Sequence, residues 1–314
     1  MKPKDLILAL LLVTVWGANF TVISLGLDGV PSMLLVAFRF ILVAFPAVFF
    51  VKKPNIGWKY IVSYGFAVGV GQFGCLFYAM EIGMPAGLAS IIAQLQAFIS
   101  PLLGAIFLKE KLKAKQIIGF AIAATGLTLI GIASTSNGVS SIPLGALLLT
   151  IGAPIFWSAS NIVARHASNI VAARGEKLDM LNLVIWASLV PPIPMLGLAL
   201  LVDTPSALIS SLMNLSPMSI FSALYLAFAS TLFGYGYWSI LISKYPLNKI
   251  APLSLLVPIT GLLTARIVLS EQLSKVQWIG VSIILIGLVF ANLDIGKIIG
   301  RLCSPSDNKE GEQL

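Results

Sequence analysis

The chain contains an ungapped internal repeat, in which residues 64–130 correspond to residues 225–291 after a shift of 161 positions. The shift places identical residues on one another: Pro85 on Pro246, Glu110 on Glu271, Gln116 on Gln277, Gly119 on Gly280 and Gly126 on Gly287. Earlier positions match at smaller offsets, as Trp16 does with Trp157. A repeat of this length indicates one structural unit that has been duplicated and fused.

Apolar runs alternate with short polar gaps along the whole chain. Only 10% of the residues are charged and 58% are hydrophobic, whereas soluble domains have about 25% charged residues. A membrane helix needs about 20 residues. Ten runs approach that length: 6–25, 32–51, 60–80, 87–108, 115–133, 143–163, 180–201, 218–242, 249–270 and 276–293. The pattern predicts an all-α integral membrane protein with ten transmembrane helices.

The basic residues predict how these spans are oriented. With a cytoplasmic start, 17 of the 20 Lys and Arg fall in inner segments and only Lys275 falls in an outer loop, while Arg39 and Arg266 lie within spans. The positive-inside rule therefore favours ten spans with both termini in the cytoplasm. Because five spans per repeat is an odd number, the second copy enters the membrane from the opposite side. We expect two inverted-topology five-helix repeats, an arrangement that supports alternating access.

The repeat also divides the chain. We expect a first repeat at 1–135, a second at 136–299, and a disordered cytoplasmic tail at 300–314. The first apolar run is long and contains Trp16 and Asn19, so it is interpreted as a permanent span rather than a signal peptide. The net charge of +8 does not indicate nucleic-acid binding, because the basic residues form no continuous stripe.

Polar side chains within spans usually face the interior of a helix bundle. Trp16, Asn19 and Phe20 share one face of the first span, and Trp157 and Asn161 share one face of the sixth. Each asparagine could simply bond a neighbouring helix. The symmetric pairing with an aromatic residue favours a shared substrate site near the middle of the membrane.

The third and eighth spans supply further candidates. Gln72 is a long polar side chain at mid-depth in the third span, with Tyr78 further along. Glycines surround Gln72, and their simplest role is close helix packing. In the eighth span Tyr235 and Trp238 lie too deep for an interfacial belt alone. They are candidates for the walls of a small-molecule site.

The fourth and ninth spans contain prolines among polar residues. Gln94 and Gln96 point to different faces, and we favour Gln94 for the cavity, with Ser90 a turn away. Pro101 is expected to kink the fourth span. The ninth span contains Ser254 between two prolines, Pro252 and Pro258. Kinks at matching places in both halves are typical of the binding region of a transporter.

Charged residues within the spans are rare. Arg39 either snorkels outward or meets an anionic group of the substrate, whereas Arg266 is nearer the outer end and is expected to snorkel. Every Asp and Glu lies at a span edge or in a loop, and His166 lies in an inner loop. The sequence contains no nucleophile–base pair, phosphate-binding loop or metal-ligand cluster. We therefore expect no enzyme activity, cofactor or metal.

These residues also carry a family resemblance. The first span with Trp16, Gly17, Asn19 and Phe20, the second with Arg39 and Phe40, and the block ending on Glu110 and Glu271 resemble the EamA family of the drug/metabolite transporter superfamily. The stretches LVAFRFILVAFPAVFF, GMPAGLAS, GYGYW and APLSLLVP are most similar to members that export O-acetylserine and cysteine. Arg266 departs from the family, in which a small or apolar residue is expected there.

The resemblance covers nearly all ten spans and implies two inverted five-helix halves. It implies a central cavity lined by spans 1, 3, 4, 6, 8 and 9, with spans 5 and 10 at the periphery. The predicted function is export of small amino-acid-like metabolites, of O-acetylserine/cysteine type, across the bacterial inner membrane. The alternatives are a broad-range drug/metabolite effluxer, an integral membrane enzyme, and a structural or signalling membrane protein. We expect a small-molecule substrate and the lipid bilayer as partners, no nucleic acid, and a monomer.

Overall fold

The structure is a computed structural model of the 314-residue chain, and it describes residues 1–135, 142–245, 250 and 253–292. Within these residues every regular element is helical. The helices are α1 Pro3–Leu27, α2 Ser32–Ala44, α3 Trp58–Glu81, α4 Ala86–Leu108, α5 Ala114–Thr135, α6 Leu144–Ala172, α7 Met180–Ala187, α8 Pro192–Val202, α9 Pro205–Met213, α10 Pro217–Lys244, α11 Val257–Val268 and α12 Lys275–Asn292. The two ends of the bundle are called outer and inner after the orientation that the sequence predicts.

Eight helices in the described part of the chain are long and apolar enough to cross a membrane. They are α1, α2 with its extension to Phe49, α3, α4, α5, α6, α10 and α12. The pair α7 and α8 makes a ninth if it counts as one bent span, and α11 is a shorter apolar helix of 12 residues. The chain is therefore a multi-pass membrane protein, and eight or nine of the ten expected spans meet the length and composition of a membrane helix.

Two expected spans differ from continuous helices. The seventh, expected at 180–201, bends by 42° between α7 and α8. Pro191 and Pro192 stand at this bend, where proline has no backbone N–H to continue the helix. The ninth, expected at 249–270, is interrupted by a turn at Leu255 and Leu256. Residues 249, 251 and 252 of this span, which include Pro252, lie outside the described residues.

Pro258 follows directly after the turn that interrupts the ninth span. Pro258 occupies the first turn of α11, where its missing N–H leaves no helical hydrogen bond unmade. In α4 the departure from α-helical geometry is a 3₁₀ turn at Ala93–Leu95, which precedes Pro101. The helix α9, which lies between the seventh and eighth spans, was not expected from the sequence.

The third and eighth spans both contain nine residues of π-helix. These segments are Phe66–Gly74 in α3 and Tyr225–Phe233 in α10. The 161-residue shift places the first segment on residues 227–235, so the two overlap in the repeat. Since π-helical insertions occur frequently at functional sites, this shared irregularity favours a functional role for the two spans.

Glycines allow the close contacts that hold the bundle together. Gly65 of α3 lies against Ala187 at the end of α7, and Gly69 lies against Pro191 in the α7–α8 bend. A side chain at either glycine would collide with the bend, which explains two of the four glycines between residues 65 and 74. Many large apolar side chains remain exposed on the outside, as Phe107 and Ile193 do. Such a surface is suited to lipid rather than water.

Candidate functional site

The predicted residues of the first and eighth spans meet at the contact between α1 and α10. The Trp16 indole donates a hydrogen bond to the carbonyl oxygen of Ser230 at 3.0 Å. Its ring centroid lies 6.0 Å from that of Tyr235 and 5.4 Å from that of Trp238. The Ser230 hydroxyl donates to Asn19 Oδ1 at 2.7 Å. Asn19 thus takes part in a helix–helix hydrogen bond in this structure.

Asn161 lies in a different environment, in a polar cavity towards the inner end. Its Nδ2 donates to Ser100 Oγ at 3.1 Å. Ser100 Oγ also lies 3.1 Å from Ser158 Oγ and 3.4 Å from Gln96 Oε1. The cavity has a volume of about 320 Å³. It is lined by Gln96, Ser100, Pro101, Glu110, Lys111, Gln116, Asn161, Ile162 and Arg165.

An ion pair lies at the edge of this cavity. Arg165 Nη1 is 2.8 and 2.7 Å from the two carboxylate oxygens of Glu110. The two side chains are 54% and 44% exposed, so solvent screens their attraction and the pair adds little to stability. The cavity therefore offers amides, hydroxyls and charges of both signs. That combination is suited to a small zwitterion.

Of the two glutamines in α4, Gln96 lines this cavity, whereas the sequence favoured Gln94. Gln94 is 6% exposed and lies within the 3₁₀ turn of α4. Ser90, expected a turn away in the cavity, is fully buried and donates to the carbonyl oxygen of Gly87 at 2.7 Å. Ser90 also packs against Gly261 of α11. In this conformation Ser90 therefore lies in a helix contact.

Arg39 is the most deeply buried charged residue of the described chain. It is 2% exposed, so the snorkelling interpretation is wrong. Its Nε and Nη2 donate to Thr231 Oγ1 at 3.2 and 3.0 Å, and its Cζ lies 3.9 Å from the centroid of the Phe73 ring. Nη1 has no hydrogen-bond partner among the described residues. Arg39 lines a small pocket with Tyr64, Phe73, Ser188, Thr231 and Tyr235.

The remaining predicted residues line neither of these two pockets. Gln72 is 5% exposed, and its Oε1 has no hydrogen-bond partner within the described part of the chain. Phe20 belongs to the hydrophobic core, and Tyr78 and Trp157 pack against that core while remaining partly exposed. Ser254 is partly buried just before the turn that precedes α11.

At each end of the bundle a carboxylate that the sequence did not single out as a contact joins two segments of the chain. At the outer end, Glu271 accepts hydrogen bonds from the backbone amides of Ala86 at 2.6 Å and Gly87 at 2.9 Å. At the inner end, Asp5 accepts from the Tyr237 and Tyr245 hydroxyls at 3.1 and 2.6 Å. The hydrogen bond to Asp5 raises the pKa of the Tyr245 phenol above its ordinary value, because it stabilises the protonated form.

Thr231, Tyr64 and Ser188 were missed by the sequence reasoning. They are polar residues within apolar runs, which is the signal that identified Gln72, but no motif connects them with Arg39. Within the described residues, His, Cys, Asp and Glu form no group of three or more that could hold a metal ion. The candidate site is therefore built from amides, hydroxyls, aromatic rings and arginine.

A bundle of apolar helices around buried polar pockets is the architecture expected of a membrane transport protein. The sequence profile of the EamA-like transporter family matches residues 4–132 and 144–293. The chain belongs to this family. The two matches fall on the two halves of the internal repeat.

Two curated relatives resemble the chain over most of its length. Probable amino-acid metabolite efflux pumps of Escherichia coli K12 and Salmonella typhimurium LT2 are each 41% identical over 288 residues, which cover 92% of this chain and 94% of each relative. A probable terminal-alkyne amino-acid exporter of Streptantibioticus cattleyicolor is 25% identical over 93% of this chain and 95% of its own length. A solved crystal structure superimposes with a TM-score of 0.61 at 16% identity, covering 97% of this chain and 100% of that one, which shows a shared fold.

Proposed function

We propose that the protein exports small amino-acid-like metabolites across the bacterial inner membrane by alternating access. The observation that supports this most directly is the inner cavity, where Gln96, Ser100 and Asn161 lie beside the Glu110–Arg165 ion pair. An amino acid carries an ammonium and a carboxylate on a small frame, and the cavity offers a partner for each. The two relatives that are 41% identical are probable amino-acid metabolite efflux pumps, which agrees with this substrate class.

The architecture that we propose for this function is ten spans in two inverted five-helix repeats, 1–135 and 136–299, followed by a cytoplasmic tail. Both termini lie in the cytoplasm. The substrate enters the inner cavity from the cytoplasm and leaves from the outer side after the two halves rock against each other. We propose O-acetylserine and cysteine as the specific substrates, on the sequence resemblance described above.

We propose that Trp16 and Asn19 contact the substrate in a later state of the cycle. In this structure both are engaged with Ser230 of α10, so they become available only when α1 and α10 separate. We propose that the remaining predicted residues also contact the substrate in a later state of the cycle. Because Asn19 is bonded to a helix in one state and to substrate in another, its loss should reduce transport more than stability.

Purified protein in liposomes tests the proposal. We expect counterflow of labelled cysteine and of O-acetylserine, and none of a cationic dye. Asn161→Ala should lower the flux at least tenfold, because this is about the effect of losing a hydrogen bond to a charged group of the substrate. The matched control is Asn214→Ala, because Asn214 is exposed after α9 and bonds only to Ser210.

Three outcomes would contradict the proposal. Flux of the dye with no amino-acid flux would favour the broad effluxer. Conversion of a substrate without its movement would favour a membrane enzyme. Equal flux in Asn161→Ala and Asn214→Ala would show that the inner cavity is not part of the transport pathway.

Asn19→Ala should cause a large loss of flux at unchanged thermal stability. A helix–helix hydrogen bond contributes only about 0.6 kcal/mol on average, so its loss alone should change stability little.

A further inference from the structure

Arg39 is a buried cation without a counter-charge. It lies seven residues into α2, which corresponds to a depth of about 10 Å from the outer end of the helix. Buried charges in proteins are normally paired with an opposite charge. Within the described residues no acidic side chain forms an ion pair with Arg39. Its neighbours are the Thr231 hydroxyl and the ring of Phe73.

These neighbours compensate the charge only in part. The Thr231 hydroxyl accepts two hydrogen bonds from the guanidinium and donates its own proton to the carbonyl oxygen of Leu226 at 2.8 Å. The Phe73 ring adds a cation–π contact on one face of the guanidinium. One nitrogen of the guanidinium, Nη1, is buried and has no hydrogen-bond partner in the described part of the chain.

Two further donors belong to residues of the pocket that Arg39 lines. This pocket is lined by the phenols of Tyr64 and Tyr235, and neither hydroxyl forms a hydrogen bond with a described residue. The Ser188 hydroxyl is already committed, since it donates to the carbonyl oxygen of Val184 at 2.7 Å. Three donors without acceptors among the described residues, Arg39 Nη1 and the two phenols, therefore belong to residues that line one small pocket. That arrangement is complementary to an anion.

The chemistry of the pocket limits which anion fits. A single guanidinium balances one negative charge, and apart from Arg39 the only ionisable carboxylate or cation among the buried residues of the described chain is Asp5 at the inner end. A phosphate dianion would need a second cation. The flat edge of a guanidinium matches the two oxygens of a carboxylate. A carboxylate is also the anionic group that every amino-acid-like substrate carries.

We propose that Arg39, together with Tyr64 and Tyr235, binds the carboxylate of the transported substrate and makes a free carboxylate a requirement for transport. This inference rests on the proposed function, and it adds the group by which the substrate is selected. The pocket has a volume of only about 10 Å³ in this structure, which is room for one water molecule. The carboxylate therefore enters when α10, which contributes Thr231 and Tyr235, moves away from α2.

The test is competition against the flux of labelled cysteine in liposomes. Unlabelled cysteine and cysteine amide, which differ only at the carboxyl group, serve as the competitors. For the wild-type chain the amide should need at least a thirtyfold higher concentration for half-inhibition. Arg39→Gln should bring this ratio to within about threefold of unity, because the pocket then offers no charge to the carboxylate. Arg174→Gln is the matched control, since Arg174 is exposed in the loop after α6.

Tyr235→Phe and Tyr64→Phe keep the test decisive if Arg39→Gln does not fold. Each removes one hydroxyl without changing the charge, and each should lower the acid-to-amide ratio about threefold to tenfold. A wild-type ratio near unity, or a full wild-type ratio in folded Arg39→Gln or in both tyrosine variants, overturns the inference while the export function stands. Absence of any amino-acid flux in the wild-type chain overturns both.

Discussion

Gly119 of α5 and Gly287 of α12 meet backbone to backbone, and a Cβ built on Gly119 would lie 2.8 Å from the carbonyl oxygen of Gly287. The same contact occurs between Gly280 and Gly126, where a Cβ on Gly280 would lie 2.7 Å from the Gly126 carbonyl oxygen. The 161-residue shift converts one pair into the other. The last helix of the first repeat and the last helix of the second thus make two equivalent contacts, which are related by an approximate two-fold axis.

Substitution at this crossing should destabilise the protein. Gly119→Ala places a methyl group against backbone, which cannot move aside as a side chain can, and overpacking of this kind costs about 1–3 kcal/mol. The control is Gly197→Ala in α8, because a Cβ at Gly197 meets no atom within 4 Å. Melting in detergent should show a lower Tm for Gly119→Ala and an equal or higher Tm for Gly197→Ala. Equal Tm values in both variants would contradict the close crossing.

A second prediction concerns the carboxylate of Glu271 at the outer end. Helix α4 begins after Pro85, which provides no side-chain cap, and Glu271 supplies the acceptor for the Ala86 and Gly87 amides instead. An anion at a helix N-terminus is favourable. Glu271→Gln keeps the shape but loses the charge and one acceptor, so we expect a loss of about 1 kcal/mol.

The repeat supplies the control for this prediction. Glu110 occupies the position equivalent to Glu271, yet it forms an exposed ion pair with Arg165. Exposed pairs contribute about 0–1 kcal/mol. Glu110→Gln should therefore change the Tm less than Glu271→Gln does. The reverse order of the two Tm values would mean that the outer carboxylate does not hold α4.

The internal repeat recurs in the local geometry of the backbone. Lys109 and Ser270, which are 161 positions apart, are the non-glycine residues with positive φ, at 56° and 55°, in the described chain. The amides that follow them bond back in the same way, Glu110 to Gly104 and Glu271 to Ala265, each at 3.3 Å. Short-range geometry of this kind depends on residues close in sequence, so equivalent positions of the repeat form the same turn.

The tertiary contacts of the site could not be predicted in the same way. Arg39 and Thr231 are 192 positions apart, and no motif links them. The choice of Gln94 over Gln96 assumed a regular α-helix, whereas a 3₁₀ turn at Ala93–Leu95 has fewer residues per turn and rotates the following side chains. Asn19 and Asn161 were expected in one cavity, but each is bonded to a different neighbouring helix in this conformation.

A third prediction concerns the orientation in the membrane. The distribution of Lys and Arg places α9 outside and the loop between α6 and α7 inside. Ser206 and Glu176 are exposed residues of these two segments. In a chain without Cys75 and Cys303, Ser206→Cys should react with an impermeant maleimide in intact cells. Glu176→Cys should react only after the membrane is opened. The opposite pattern would invert the proposed topology.

The last prediction is that transport does not depend on a proton-carrying residue of the protein. Such residues are typically Asp, Glu or His within spans, because these groups gain and lose protons near neutral pH. His166, the only histidine, is exposed. Asp5, the most buried carboxylate of the described chain, lies in the first turn of α1, at the inner end.

Asn161, Gln96 and Arg39 can bind a zwitterion, but they do not exchange protons near neutral pH. The substrate should therefore leave down its own gradient or in exchange for another solute. The measurement is flux in liposomes with and without an imposed pH gradient, using a substrate whose charge is constant over that range. Accumulation driven by the gradient alone would contradict the prediction. Loss of that accumulation in Asp5→Asn, with flux down the substrate gradient retained, would then identify Asp5 as the proton carrier.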